Sequence, residues 1–320
     1  MQNSSGEGIK SQMTMFRFII RRLVITVPLV LVVISLTWGL IRLAPGNFYS
    51  SEKALPPAIE KNIREKYGLD KPWYVQYGRM IGNVLRGDFG LSLRYQGQSV
   101  NQILAQTLPV SATLGLLAYG LALVVGVAAG TLAAVKQNSR LDYISMALAM
   151  LGISVPNFVL GPILVLIFSL NLYWLPPARW GGVPSWNLVL PVLTLSAVYM
   201  AYIARLTRAG MLEVLRSDYI RTARAKGLSE RAVIFRHAMR GGLLPVVSFT
   251  GPALAFLISG TVVVERIFAL PGLGNYFINA SLNRDEPLII GIVAFTSILI
   301  MLLNLAVDIA YGLIDPRIRY

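Results

Sequence analysis

Residues able to make or break covalent bonds are scarce in this sequence of 320 residues. Cysteine is absent, which excludes disulfide scaffolds, thiolate metal sites and cysteine nucleophiles. His237 is the single histidine, which excludes a multi-histidine metal centre. A serine hydrolase needs a base beside its serine, and His237 stands in an arginine-rich stretch with no catalytic set around it. No GxxxxGKS or GxxxxGKT run occurs, so the chain carries no phosphate-cradling loop of that type for ATP. What the sequence does concentrate is guanidinium. Residues 205–240 hold nine Lys or Arg against Glu213, Asp218 and Glu230, a net charge of +6. Such a cluster recognises anions and does not transform them. The candidates are nucleic-acid phosphates, lipid headgroups and the carboxylates of a protein partner.

The elements that must position this cluster are apolar. Hydrophobic residues make up 55% and charged residues 14%, against about 25% charged in ordinary globular chains. Lipid must therefore solvate much of the surface. A spanning helix needs about 20 apolar residues to cross roughly 30 Å of hydrocarbon. Six charge-free stretches qualify, at 23–41, 108–135, 143–170, 186–204, 241–264 and 288–307. The fold class that follows is an all-α integral membrane protein with six transmembrane helices, the third kinked or broken at Pro156.

Charge placement supplies the orientation. The tail through Arg22 carries +3, residues 136–142 carry +1 and residues 205–240 carry +6. On the other side, the loop with Arg179 carries +1 and residues 265–286 carry −1. Residues 42–94 carry +4, but long loops translocate largely regardless of charge. Both termini and the arginine cluster are expected in the cytoplasm, and the nucleic-acid reading loses its support. The first apolar run, 19 residues long, exceeds the usual 7–15 of a signal h-region, so an uncleaved first helix is expected. The chain thus divides into a cytoplasmic tail and helix start (1–22), a first span (23–41), a long extracytoplasmic loop (42–107) and a core (108–320) holding the other five spans and the cytoplasmic loop 205–240.

The long loop has its own pattern. Pro56 and Pro57 ahead of Ala58, with Gly68 after Tyr67, predict a short helix over 58–67. Asp70 and Pro72 open a second, with Trp73, Tyr77, Met80 or Ile81, and Val84 on one face and Gly87 at its end. Ser99 caps a third stretch carrying Val100, Ile103 and Leu104. These faces suit either an external partner or packing on the helix bundle. Within the spans, Asn157 beside Pro156, Ser154 and Thr250 are the candidates for lining a pathway, although helix–helix hydrogen bonding is the commoner use of such residues. Gly126 and Gly130 form a GxxxG sequence that permits close helix approach.

In the arginine cluster, Met211, Leu212 and Leu215 give an apolar face. Gly227 ends a helical run, and Ser229 caps another with Glu230 at its positive end. Ala223, Ala225 and Gly227 are small enough for close approach by another backbone. An amphipathic helix facing anionic headgroups is the alternative.

The segment Arg221-Thr222-Ala223-Arg224-Ala225-Lys226-Gly227, followed by Leu244-Pro245, resembles the cytoplasmic EAA loop of ABC-importer permeases in their peptide and nickel branch. Ala223 matches the second alanine of that pattern and Gly227 its glycine, while Arg221 and Thr222 replace Glu and Ala. The likeness continues through Arg42-Leu-Ala-Pro-Gly46, Tyr67-Gly-Leu-Asp-Lys-Pro72, Gly87-Asp-Phe-Gly90, Pro109-Val-Ser-Ala112, Leu270-Pro-Gly272, Leu282-Asn-Arg-Asp285 and Asp315-Pro-Arg-Ile-Arg-Tyr320. Together these are similar to the B-type permease subunits of oligopeptide importers.

The resemblance implies a type I permease architecture and alternating access. It implies a second homologous permease, two ATPase subunits that hold ATP and Mg, and an extracytoplasmic peptide-binding protein; this chain itself would hold no cofactor. It implies that Asp218, Arg221, Thr222, Ala223, Arg224, Ala225, Lys226, Gly227, Leu228, Ser229 and Glu230 couple to an ATPase, with Ala223 and Gly227 as closest-contact positions. The setting it implies is a bacterial cytoplasmic (inner) membrane. Import of nickel or another small solute shares most of these motifs. An ion-coupled carrier acting alone is disfavoured by the charge-free spans.

Overall fold

The computed structural model describes residues 4–43, 70–95, 97–177, 179–182 and 185–314. The helix expected over 58–67 and the motif residues 315–320 lie outside them. Among the described residues the chain is helical, with one isolated antiparallel bridge between Leu91 and Ser99. The helices used below are α1 (Ser4–Leu43), α2 (Trp73–Leu85), α3 (Val100–Val135), α4 (Arg140–Ser154), α5 (Asn157–Leu164), α6 (Val189–Leu215), α7 (Asp218–Ala225), α8 (Leu244–Ile258), α9 (Val262–Ile267), α10 (Leu273–Asn283) and α11 (Glu286–Ile314).

Five stretches are long and apolar enough to cross a membrane: Val24–Leu43, Val100–Val135, Trp186–Leu215, Leu244–Ile267 and Glu286–Ala310. The pair Arg140–Ser154 and Asn157–Asn171 makes a sixth when taken as one broken span, bent by 104°. The break falls at the expected proline. Val155 is extended at φ −90° and ψ 114°, as a residue before proline prefers, and Pro156 starts a new helix at Asn157. The amphipathic stretch after Ser99 and the second apolar stretch form one helix, α3, with Pro109 inside it. Its start is a reciprocal cap: Gln102 N–H donates to Ser99 Oγ at 3.1 Å, and Ser99 N–H donates to Gln102 Oε1 at 3.0 Å.

The chain folds as two compact units. The first comprises Met1–Pro109 with Leu273–Met301. There Val30, Ile34 and Trp38 of α1 pack with Ile290 and Ala294 of α11, and Tyr77, Met80, Ile81 and Val84 of α2 close over them. Tyr77 OH meets Ser35 Oγ at 2.6 Å. Four of the expected face residues of α2 thus pack inward, while Trp73 stays exposed. The fully buried Asp285 carboxylate accepts from Ser92 Oγ and from the backbone N–H groups of Leu93 and Arg94, both at 3.1 Å, tying the 92–94 loop to the start of α11. An anionic acceptor needs such donors to be buried at tolerable cost.

The second unit comprises Val110–Gly272 with Leu302–Tyr320. Its core joins Leu114 and Ala118 of α3, Leu190, Leu195 and Ile203 of α6, Leu257 of α8 and Phe268. Lipid is as apolar as these side chains, so close packing rather than water exclusion holds spans together. The GxxxG sequence provides it: a Cβ at Gly126 would lie 2.8 Å from Ile203 Cβ, and one at Gly130 would collide with the Ala204 carbonyl oxygen. Glu265 on α9 is fully buried and accepts from Ser111 Oγ at 2.8 Å, in the space that Gly272 leaves by lacking a Cβ.

Candidate coupling surface

After α6 the chain turns at Arg216 and Ser217, and α7 begins with Asp218 in its first turn, where a carboxylate complements the helix dipole. The end of α7 is a Schellman motif. Gly227 N–H donates to Arg224 O at 2.9 Å and Leu228 N–H to Ala223 O at 3.3 Å, with Gly227 in the left-handed region at φ +76°. Ser229 then caps the next short helix, accepting from Ala232 N–H at 3.4 Å, and Glu230 occupies its first turn. Glycine terminus and serine cap both stand where their residue types place them.

Two residues hold α7 against the second unit. Ile220 and Ala223 are buried among Ala134, Met211, Val233 and Ala238. Ala223 therefore faces the chain's own core, and its small size serves that packing. The seat beneath is made by close backbone approach: a Cβ at Gly210 would collide with the Gly242 carbonyl oxygen, and one at Gly242 would lie 2.6 Å from Met211 Sδ. Ile220, Gly210 and Gly242 were not among the sequence-derived site residues. The i, i+3 spacing of Ile220 and Ala223 is the signal that marks the buried face.

The opposite side of α7 is exposed along its length: Asp218, Tyr219, Arg221, Thr222, Arg224 and Ala225, then Lys226, Gly227, Leu228, Ser229 and Glu230. Arg221 Nη1 lies 3.3 Å from Asp218 Oδ1, and Arg224 Nε lies 2.8 Å from Glu230 Oε1. Both pairs are open to water, so they hold little energy and exchange readily for an incoming carboxylate. Lys226 has no counter-ion among the described residues. Thr222 Oγ1 is occupied by its own helix, donating to Asp218 O at 2.9 Å. Among the described residues nothing lies within 4 Å of the position of a Cβ at Gly227, so there the glycine answers to backbone conformation alone.

Behind this surface, Arg208 of α6 forks onto Asp142 of α4 with two hydrogen bonds of 2.7 Å, and Asp142 also accepts from Asn138 N–H at 3.0 Å. This bidentate pair fixes the start of α4 to α6 beside the arginine cluster. The three pathway candidates do not converge through any hydrogen bond to one another. Thr250 Oγ1 meets Tyr119 OH at 2.5 Å and donates to Val246 O at 2.9 Å. Ser154 Oγ donates back to Met150 O at 2.8 Å. Asn157 Oδ1 is buried with no hydrogen-bond partner among the described residues.

Residues 126–320 match the family described as the binding-protein-dependent transport system inner membrane component, and residues 15–115 match its N-terminal region. The chain belongs to this family. It is 47% identical over 306 residues to the oligopeptide transport system permease protein OppB of Haemophilus influenzae, covering 96% of this chain and 100% of that one. The OppB of Escherichia coli K12 is 45% identical over the same shares. The dipeptide transport system permease protein DppB of Bacillus subtilis is 41% identical, over 95% of this chain and 98% of its own length. Among solved structures, the inward-facing MetNI methionine ABC transporter superposes with a TM-score of 0.57 at 16% identity, covering 67% of this chain and 97% of that one. The fold is thus that of an ABC importer permease.

Proposed function

We propose that this chain is a transmembrane permease subunit of an ATP-driven importer that moves oligopeptides across a bacterial cytoplasmic membrane by alternating access. It works with a second homologous permease, with two ATPases that bind ATP and Mg and carry out the hydrolysis, and with an extracytoplasmic binding protein that delivers the peptide. The observation that carries the reading is α7. Its inward residues Ile220 and Ala223 fix it to the membrane unit, while Tyr219, Arg221, Arg224 and Lys226 stand outward for a partner's groove. The relatives above are named as oligopeptide or dipeptide permeases, which supports the substrate class. Alternating access is a population shift, in which ATPase closure favours one state through contacts that differ between the two.

The test is ATP-dependent uptake of a labelled tri- to pentapeptide into vesicles holding this chain, the second permease and both ATPases, with the binding protein outside. The expected result is uptake that vanishes when this chain is omitted and is competed by unrelated peptides but not by nickel. ATP hydrolysis without peptide uptake would move the substrate elsewhere while keeping the importer.

A further inference from the structure

Lipid-facing positions on a spanning helix are normally aliphatic. The exposed side of α1 obeys this, with Val24, Ile25, Val27, Leu29, Val32, Leu36 and Leu40 all open. The helices α6 and α8 do not. Tyr199 and Tyr202 on α6 flank Phe249 on α8, with ring centroids 6.2 and 5.8 Å apart and tilts of 40° and 35°. One turn further along, the Arg205 guanidinium lies 5.8 Å over the Tyr202 ring. Tyr202 is 40% exposed and Arg205 is exposed, while Tyr199 and Phe249 are half-buried. Neither tyrosine hydroxyl has a hydrogen-bond partner among the described residues, and Arg205 has no carboxylate there. Tyr199 lies five residues inside the charge-free stretch ending at 204, about 7 Å along the helix. That is deeper than the headgroup level at which interfacial aromatics sit. An unpartnered phenol at this depth is unsuited to acyl chains, and Tyr202 and Arg205 continue the polar line to the end of the stretch.

We propose that the face formed by Tyr199, Tyr202 and Phe249, with Arg205 at its cytoplasmic end, is the surface of this chain that the peptide passes in transit. The inference rests on the oligopeptide reading and adds the groups that touch the cargo. A peptide of varied sequence offers amides, apolar or cationic side chains and one terminal carboxylate. Aromatic faces take apolar and cationic side chains alike, the two phenols pair with amides, and Arg205 takes the carboxylate. Charge complementarity and the free hydroxyls favour this occupant over a lipid tail or an apolar helix of the second permease.

The chain contains no cysteine, so single-cysteine variants read out directly. Tyr199→Cys, Tyr202→Cys and Phe249→Cys are placed in the full complex in vesicles and treated with a membrane-impermeant maleimide, with Leu36→Cys and Leu148→Cys as lipid-facing controls. The three test positions are expected to react at least about tenfold faster than the controls, because the reacting thiolate forms in water. Excess pentapeptide with binding protein and ATP is expected to slow that reaction at least about threefold. Labelling at the control rate, or labelling that peptide does not slow, overturns the proposal. Arg205→Gln is expected to lower the peptide moved per ATP about tenfold for free-acid peptides and not for C-terminally amidated ones, and equal losses overturn the role given to Arg205. Peptide uptake by the unmodified chain in the same vesicles separates the two levels. Uptake with an unreactive face sinks this inference alone, and absent uptake sinks the substrate reading.

Discussion

At Gly227 two demands on a residue separate cleanly. Its φ of +76° costs a residue with a Cβ about 1–2 kcal/mol, whereas the space around it is open among the described residues. Gly227→Val is expected to leave the subunit in the membrane and abolish coupling of transport to ATP hydrolysis; unchanged uptake would sink the docking assignment. Gly227→Asn, which tolerates the left-handed region, is expected to retain most coupling if conformation is the demand. Loss as complete as with valine would instead place the partner's backbone against this position. Asp142 is a different case. Its carboxylate side chain is 3% exposed and answers Arg208. Asp142→Ala strands a guanidinium beside α6, with an expected loss of about 1.5–3 kcal/mol. A fall in the thermal midpoint of the purified complex checks it, and an unchanged midpoint would show the pair to be dispensable.

Among the elements, α7 divides into an anchoring face and a presenting face, and the two should fail differently. Ile220→Ala empties a fully buried site, and losses at such sites run to about 2–5 kcal/mol. Tyr219→Ala removes a half-exposed ring and is expected to leave thermal stability unchanged while weakening retention of the ATPases on affinity purification. Equal destabilisation by both would contradict the two-faced reading. The end of α7 and the start of the next helix were legible in the sequence, because Gly227 and Ser229 have conformational preferences that act locally. The inward turn of Ala223 was not, since a small residue permits close approach from either side. The continuity of α3 through Pro109 was also hidden. Proline forbids one N–H bond, yet neighbouring helices in a membrane protein make such a helix tolerable. The π-helical turns Val165–Asn171 and Val233–Ala238 have no residue type that announces them. Tyr199 and Tyr202 drew no attention in the sequence, because an aromatic on a span reads as packing until its hydroxyl is seen without a partner.

For the whole molecule, charge distribution predicts which loops face the cytoplasm, and the cysteine-free background makes this testable. Lys226→Cys is expected to react with an impermeant thiol reagent only from the cytoplasmic side, and Asp88→Cys only from outside. Reversed labelling would overturn the orientation. The seat of α7 also has a mechanical meaning. The 27 residues of α6 span about 40 Å, and positions 192–209 contain neither glycine nor proline. Gly210 is no hinge, because its backbone is clamped on Gly242. A push delivered to α7 enters this rod at Met211 with little slack. The stiffness of the route, more than the strength of any one contact, then sets how far a displacement of α7 travels along α6.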